Sequence, residues 1–217
     1  IKQLKRTEKF VFIYSRNQNH VMMFDTSGRF IRKIGRVGQG PGEVTNINFF
    51  TVSDSLVFIY PFSRNGSLTV YDMRDNIFVK EIPLKWPNFY SEAIDVMEDC
   101  LVYYPGTVSN GNERVFISAC VVNEKGETLM EQIPYLPAGV DKSEMTLSSD
   151  ASWIYQGRSN VYSQINDTIY GITCDSIYPR YRLSLGKYGL PLGRYDAKDL
   201  GLKDFIMMQG VCENKES

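Results

Sequence analysis

The sequence predicts an all-β chain built as a β-propeller of four-stranded antiparallel blades, and three observations carry that prediction. One phrase recurs: residues 21–35 read as an alternating strand, an Asp25-Thr-Ser-Gly28 turn and a second alternating strand. It returns at 68–82 around Asp72-Met-Arg-Asp-Asn76, at 117–133 around Asn123-Glu-Lys-Gly126, and at 168–183 around Thr173-Cys-Asp175. The turn anchors Asp25, Asp72, Asn123 and Thr173 lie 47, 51 and 50 residues apart, a period that points to a repeat array. Each period also holds strand-length runs enough for four strands, which is one propeller blade.

The units read as 1–35, 36–82, 83–133 and 134–185, with 186–217 opening a further blade. In the second unit the strands fall at 47–52, 56–60, 68–72 and 77–82, with a turn at Asp54-Ser55 and a loop over 61–66. The inner strands are near-continuous apolar runs and the outer ones alternate, as blades packed face to face require. Almost no helix is expected before Gly186. The stretch 186–202, with Asp196-Ala-Lys-Asp-Leu200, is the one place for a short helix. At about fifty residues a blade, these 217 supply a little over four, and they read as part of a longer array. Segment 204–217 reads as the first strand of another blade.

Asp25-Thr-Ser-Gly28 is a turn with a mechanism: the carboxylate bonds the backbone two residues on, and glycine takes a positive φ. These aspartates lack the ligand spacing of a calcium loop, so self-capped hairpins are the reading. Up-down-up-down threading places the connections 35–46, 83–91 and 134–149 at the same end of the blades as 15–20, 61–67, 105–113 and 157–160. The opposite end carries short Asx-type turns. Long loops on a rigid frame are where binding groups sit.

Composition narrows the function. With 24 basic and 25 acidic residues and a net charge of −1, the chain lacks the basic excess from which nucleic-acid binders draw affinity. No window of 18 apolar residues offers a membrane-spanning helix. The four cysteines show no C-x-x-C spacing, so no zinc site is expected. Cys100 and Cys120 read as small core residues rather than a disulfide. His20 is the only histidine, too few for a Ser-His-Asp set or a two-histidine metal centre. It reads as a solvent-exposed loop residue, and Glu98-Asp99 as a turn. No cofactor is implied.

Gly35-Arg-Val-Gly38-Gln-Gly40-Pro41-Gly42-Glu43 carries four glycines after a strand. No Lys-Ser/Thr follows, as a Walker loop requires, and the next segment is a strand rather than the helix of a dinucleotide site. The string reads as a crossing between blades near the channel mouth, where glycines let the backbone turn sharply.

Phe24-Asp-x-x-Gly28 followed by Ile34-Gly-Arg-x-Gly-Gln-Gly-Pro-Gly-Glu43 resembles NHL/TolB-like repeats. More closely, it resembles the six-bladed β-propeller family of exported, often lipid-anchored proteins from gut anaerobes related to Bacteroides. Asn166-Asp-Thr-Ile-Tyr170, Pro179-Arg-Tyr-Arg-Leu-Ser-Leu-Gly186 and Pro191 fit that family too, and the resemblance covers 10–191. It implies the fold, a periplasmic or outer-membrane location and a lipid anchor upstream of these residues. It carries no known catalytic residue. Asp54-Ser-Leu, Asp167-Thr-Ile and Asp175-Ser-Ile resemble the O-glycosylation tripeptide of that lineage, a pattern that turn-then-strand sequences produce readily. Asn65-Gly-Ser67 and Asn166-Asp-Thr168 are formal N-glycosylation sites.

The candidate binding set is built on arginine. Ile13-Tyr-Ser-Arg16, Ile59-Tyr-Pro-Phe-Ser-Arg64 and Ile154-Tyr-Gln-Gly-Arg158 place an arginine at one and the same loop of three units. Arg36 and Glu43 come from the adjacent crossing, Trp86 and Tyr90 from the next. Arginines meeting at a channel mouth suit a carboxylate, sulfate or phosphate held bidentately, and the aromatics suit a sugar ring or peptide. Alternatively, each arginine packs over its own tyrosine and bonds local carbonyls. Two functions follow: a non-enzymatic binding or scaffold module for a protein, peptide or glycan, or a saccharide- or peptide-directed lyase or hydrolase. The second would use arginines as electrostatic stabilisers and a Tyr or Glu as base.

Overall fold

A computed structural model describes residues 2–15, 18–61, 66–86, 94–110, 113–132, 152–163, 168–184 and 186. The first sheet runs in the order β1 (Gln3–Arg6), β2 (Phe10–Tyr14), β3 (Val21–Asp25), β4 (Phe30–Ile34). The second runs β5 (Ile47–Val52), β6 (Leu56–Pro61), β7 (Ser67–Asp72), β8 (Phe78–Pro83). The third begins with β9 (Ile94–Val96) and β10 (Leu101–Tyr103); a separate hairpin of β11 (Gly106–Asn110) and β12 (Glu113–Ile117) follows. β13 (Ala119–Val122) and β14 (Thr128–Gln132) complete that sheet in the order β14-β13-β10-β9. The fourth is β15 (Ser152–Tyr155), β16 (Arg158–Ser163), β17 (Thr168–Ile172), β18 (Ile177–Arg182). These four-stranded antiparallel sheets are the blades of a β-propeller, and no α-helix occurs among the described residues. The expected helix at 186–202 and the tail strand at 204–217 lie outside them, Gly186 apart.

Two compact units emerge. One comprises Ile1–Asn88, Glu92–Val96 and Asn123–Glu127; the other Phe89–Ser91, Met97–Val122 and Thr128–Ser217.

In the first unit, strand alternation decides which side chains meet. Phe12, Val21, Met23 and Ile34 of the first sheet pack with Phe50, Val57, Ile59 and Tyr71 of the second in one buried cluster. The second sheet is buried on both faces, because Phe49, Tyr60, Leu68 and Val70 on its other side are also buried. That explains its unbroken apolar runs. Its edge strand β8 alternates instead, with Ile82 buried and Val79, Glu81 and Pro83 exposed.

The repeated turns fold as their sequences dictate. Asp25 accepts from the N–H of Ser27 (3.0 Å) and Arg29 (2.9 Å), and Gly28 has φ 86°. Asp72 accepts from Arg74 (2.7 Å) and Asp75 (3.1 Å), and Asn76 takes the positive φ of 55° where the first turn uses glycine. Asn123 accepts from Lys125 (2.9 Å) and Glu127 (3.0 Å), with Gly126 at φ 85°. In the fourth repeat Thr173 closes a tighter turn through the hydroxyl of Ser176 (2.7 Å) and the carboxylate of Asp175 (2.6 Å). Every outer hairpin carries a bulge, whose extra residue on the fourth strand is Ile31, Val79, Leu129 or Arg180. Of these, Val79 and Leu129 are exposed.

Two expectations are corrected. The stretch 105–113 is not a plain loop, since most of it forms β11 and the start of β12. The stretch 157–160 is not the connection after a second strand. Tyr155 pairs with Arg158 across a two-residue turn whose Gln156 (φ 51°) and Gly157 (φ 72°) both have positive φ, the geometry that closes a tight hairpin. Arg158 therefore opens a second strand.

Neighbouring sheets are joined in two ways. In the first unit, the chain leaving each fourth strand meets the Asx turn of the next sheet. Gly35 N–H donates to Asn76 Oδ1 (3.0 Å), and a Cβ on Gly126 would stand 2.2 Å from the Pro83 carbonyl oxygen. Lys80 Nζ also reaches Glu124 at 2.9 Å. In the second unit a disulfide links Cys100, in the turn after β9, to Cys174, in the turn after β17. The expectation that Cys100 is a plain core residue is overturned; Cys120 is buried and outside the disulfide, as expected. A covalent pair 74 residues apart leaves no spacing signature, because only the repeat register brings the two turns together.

Candidate functional site

Blade topology sets the ends of the first unit apart. The connections β1–β2, β3–β4, β5–β6 and β7–β8 span three to five residues, 7–9, 26–29, 53–55 and 73–77. At the other strand ends lie 15–20, 35–46, 62–66 and the connection following Pro83. Arg16 and Arg64 belong to the connections after β2 and β6, as expected; they and Tyr90 lie outside the described residues. Trp86 follows β8, half-buried, with Lys85 Nζ 5.0 Å from its ring centroid.

The glycine crossing is an ordered loop. Val44 N–H donates to the Arg36 carbonyl (2.7 Å), and Val37 and Val44 form an isolated bridge. The Tyr71 hydroxyl donates to the Gly42 carbonyl and accepts from Arg36 N–H (3.2 Å). Burial pushes the Tyr71 phenol up from its ordinary value. Gly42 has φ 69°, and a Cβ there would fall 2.4 Å from the Phe78 ring, so both conformation and space demand glycine. Glu43 turns back on its own loop: Gly40 N–H donates to Oε2 at 2.9 Å, and a Cβ on Gly38 would stand 1.9 Å from that oxygen. Successive glycine N–H groups form anion-holding concavities, and here the anion is the chain's own carboxylate.

The loop is fastened to Tyr71, Asn76 and Phe78 of the second sheet's outer hairpin. Positive-φ Asn76 holds its start, since its side-chain carbonyl accepts from Gly35 N–H as the chain leaves β4. Exposed Arg36 and Glu43 sit there with it.

Arg158 lies within the fourth sheet. Its guanidinium donates to the Tyr178 hydroxyl (3.2 Å) and Gln156 Oε1 (3.3 Å). Tyr178 reaches it by lying across Gly171, where a Cβ would meet the ring at 2.9 Å. Beside it, buried Asn160 accepts from Arg180 (2.9 Å) and donates to the carbonyls of Trp153 (3.3 Å) and Arg158 (3.4 Å). Arg180 also stacks on Tyr181, 4.8 Å from the ring centroid. This Arg–Tyr–Asn lattice was missed in the sequence; the signal for it is Gly171 facing Tyr178, a small residue opposite a large ring. His20 is half-buried rather than solvent-exposed, with Nε2 buried and without a partner. Burial first, then Lys33, lowers its pKa. Glu98 and Asp99 form the expected turn, closed by Met97 N–H to the Cys100 carbonyl (2.9 Å).

Among the described residues no group of three or more His, Cys, Asp or Glu side chains is placed to hold a metal ion. No helix there is long and apolar enough to cross a membrane. Asp54 and Ser55 are exposed in their turn, while Ser176 is tied to Thr173; Asn65, Asn166 and Asp167 lie outside the described residues.

Repeated four-stranded blades define this chain as a β-propeller protein. It belongs to the domain of unknown function DUF4934, whose family model matches residues 1–217. The chain is similar to a Bacteroides fragilis NCTC 9343 protein whose export is inferred (TM-score 0.60, 17% identity), over 82% of this chain and 49% of that one. It is also similar to virginiamycin B lyase of Staphylococcus aureus (TM-score 0.50, 14% identity), over 86% of this chain and 56% of that one. BamB of Moraxella catarrhalis gives a TM-score of 0.44 at 17% identity, over 83% of this chain and 49% of that one. The chain thus spans about half the length of these solved proteins. No curated protein matches it.

Proposed function

We propose that the chain is a non-enzymatic binding or scaffold module of the bacterial cell envelope, holding its ligand on the connections that follow the second strands. The observation that carries this reading is the asymmetry of the first unit: capped three- to five-residue turns at one set of strand ends, most longer connections at the other. Variable segments on a packed frame are where recognition evolves. Arg16 and Arg64, at equivalent connections of consecutive sheets, supply the binding charge, and Trp86 and Tyr90 supply ring faces. Glu43 and Arg158 serve the frame, since each side chain has its partner within its own loop or blade; Arg36 is tied through its backbone N–H to Tyr71 and keeps an exposed side chain on the crossing. The Cys100–Cys174 disulfide supports export, because such bonds persist in oxidising compartments. The protein of inferred export with the same fold agrees.

The test is an array of acidic oligosaccharides and acidic peptides probed with the protein. A ligand should be retained unchanged, and Arg16→Ala with Arg64→Ala should weaken it about ten-fold or more, given roughly 1.5–3 kcal/mol per charge-assisted hydrogen bond. Cleavage of a retained probe would instead establish an enzyme. Unchanged binding in a destabilised double variant would make both arginines structural.

A further inference from the structure

We propose that Gln18 and His20 read hydroxyl groups of the ligand, and that the ligand is therefore an acidic saccharide. This rests on the binding module above and names the ligand class for the same connections. Among the described residues of the first unit, two buried side-chain polar atoms lack a hydrogen-bond partner, Gln18 Oε1 and His20 Nε2. Both fall in the connection 15–20 that follows β2. The other two such atoms, Gln132 Oε1 and Ser152 Oγ, belong to the second unit.

Buried polar groups are matched as a rule, and an unmatched one costs stability. The frame at the same strand ends obeys that rule. The Tyr14 hydroxyl donates to the Ile47 carbonyl (2.5 Å), Lys2 Nζ to Asn48 Oδ1 (3.3 Å), and Phe50 N–H to Gln3 Oε1 (2.9 Å). The two exceptions stand on a fixed backbone. Gln18 N–H donates to the Ser15 carbonyl (2.9 Å), and His20 directly precedes buried Val21 at the start of β3.

Their chemistry selects among ligands. Gln18 Oε1 only accepts, so a carboxylate, sulfate or phosphate, which also only accepts, cannot match it. An ammonium donates, but Lys33 already acts on this site: after burial, it is the second cause that lowers the His20 pKa, and it repels a further cation. The imidazole is therefore neutral at neutral pH, one ring nitrogen donating and the other accepting. A hydroxyl donates and accepts at once, so it matches the amide oxygen and either tautomer of the imidazole. A sugar ring presents hydroxyls on adjacent carbons, one for each reading group. Its acid group is left to Arg16 and Arg64.

The test compares the full chain with its Gln18→Met and His20→Phe variants in two measurements. In thermal unfolding without ligand, each variant should melt about 2–4 °C higher, since an apolar group of similar shape replaces an unmatched polar one. Uronic-acid oligosaccharides and glutamate peptides of equal length and charge are then probed. Wild type should hold the oligosaccharides at least about ten-fold more tightly, and each variant should lose most of that preference. Variants that melt at the same temperature or lower would show both atoms matched in the resting protein by ordered water, and would overturn the proposal. A preference that survives both substitutions would overturn it as well. Retention of glutamate peptides alone would overturn the saccharide assignment and leave the binding module standing, whereas retention of neither probe would overturn both.

Discussion

The joints of the two units are made differently. In the first unit, sheets are joined by tips: a polar side chain, a glycine and an ion pair against the end of the preceding fourth strand. In the second, a disulfide spans from the turn after β9 to the turn after β17. The turn that carries Cys174 is also the one of the four that has neither an Asx anchor nor a positive-φ residue. Its bulge lies between Ile169 and Tyr170, further from the turn than in the other repeats. Where the repeat loses its polar tip, a covalent link stands in its place. A degenerate repeat thus marks where the joint changes chemistry.

Breaking the covalent joint should have the largest effect. Closing a loop of 74 residues restricts the unfolded chain by roughly 4 kcal/mol in the chain-entropy model. Cys174→Ala, or reduction with dithiothreitol, should therefore lower the urea midpoint sharply. An unchanged midpoint would show that the remaining packing alone joins these sheets.

Glycine substitutions sharpen the other half of the comparison. Gly126→Ala forces a Cβ against the Pro83 carbonyl at positive φ and should cost about 3 kcal/mol. Gly28→Ala meets only the backbone penalty and should cost about 1–2 kcal/mol. Equal losses in thermal unfolding would mean that the tip of the third sheet is not held by Pro83. Tyr71→Phe removes the hydroxyl that ties the glycine crossing to the second sheet and should cost about 1–2 kcal/mol. Proteolysis within 36–44 should accelerate in the same variant; unchanged cleavage would remove Tyr71 as the anchor.

The smallest effect is electrostatic. The Ser27 hydroxyl first, and then the Arg29 N–H, hold the Asp25 carboxyl down to about 2 from its ordinary 3.8. A depressed carboxyl stabilises the fold above its unfolded value and loses that contribution as pH falls through the folded one. The stability gap between wild type and Asp25→Ala should therefore be full above about pH 4 and close towards pH 2. A gap independent of pH would assign the loss to backbone capping alone.

Much of the fold was legible because its determinants are local. Strand alternation, Asx turns and a fixed period placed all four strands of the second sheet within a residue or two. What was not legible depends on pairing between distant segments. Arg158 matches Arg16 and Arg64 in its preceding Ile-Tyr, but Gln156-Gly157 closes a hairpin one strand earlier. The cysteine pair and the capture of Gly35 by Asn76 both join residues at least 41 positions apart. The glycine crossing was correctly separated from nucleotide loops by its following strand. Its occupant, Glu43, was visible in the string but not its direction.

The bulges have a consequence for how the repeat tolerates insertions and deletions. A strand is a two-state code, each residue up or down, and one extra residue inverts everything after it. Ile31, Val79, Leu129 and Arg180 are such single-residue offsets, one per repeat. They act as phase corrections that let the fourth strand start with a ring facing its neighbour and end with an aliphatic side chain buried, as Phe78 and Ile82 do in β8. Deleting Val79 would remove the offset together with its exposed residue, leaving Phe78 next to Lys80 and still opposite Tyr71 in plain alternation while Ile82 kept its place. The change would be confined to the hairpin tip, so the outer strand can be edited one turn at a time without rewriting the blade.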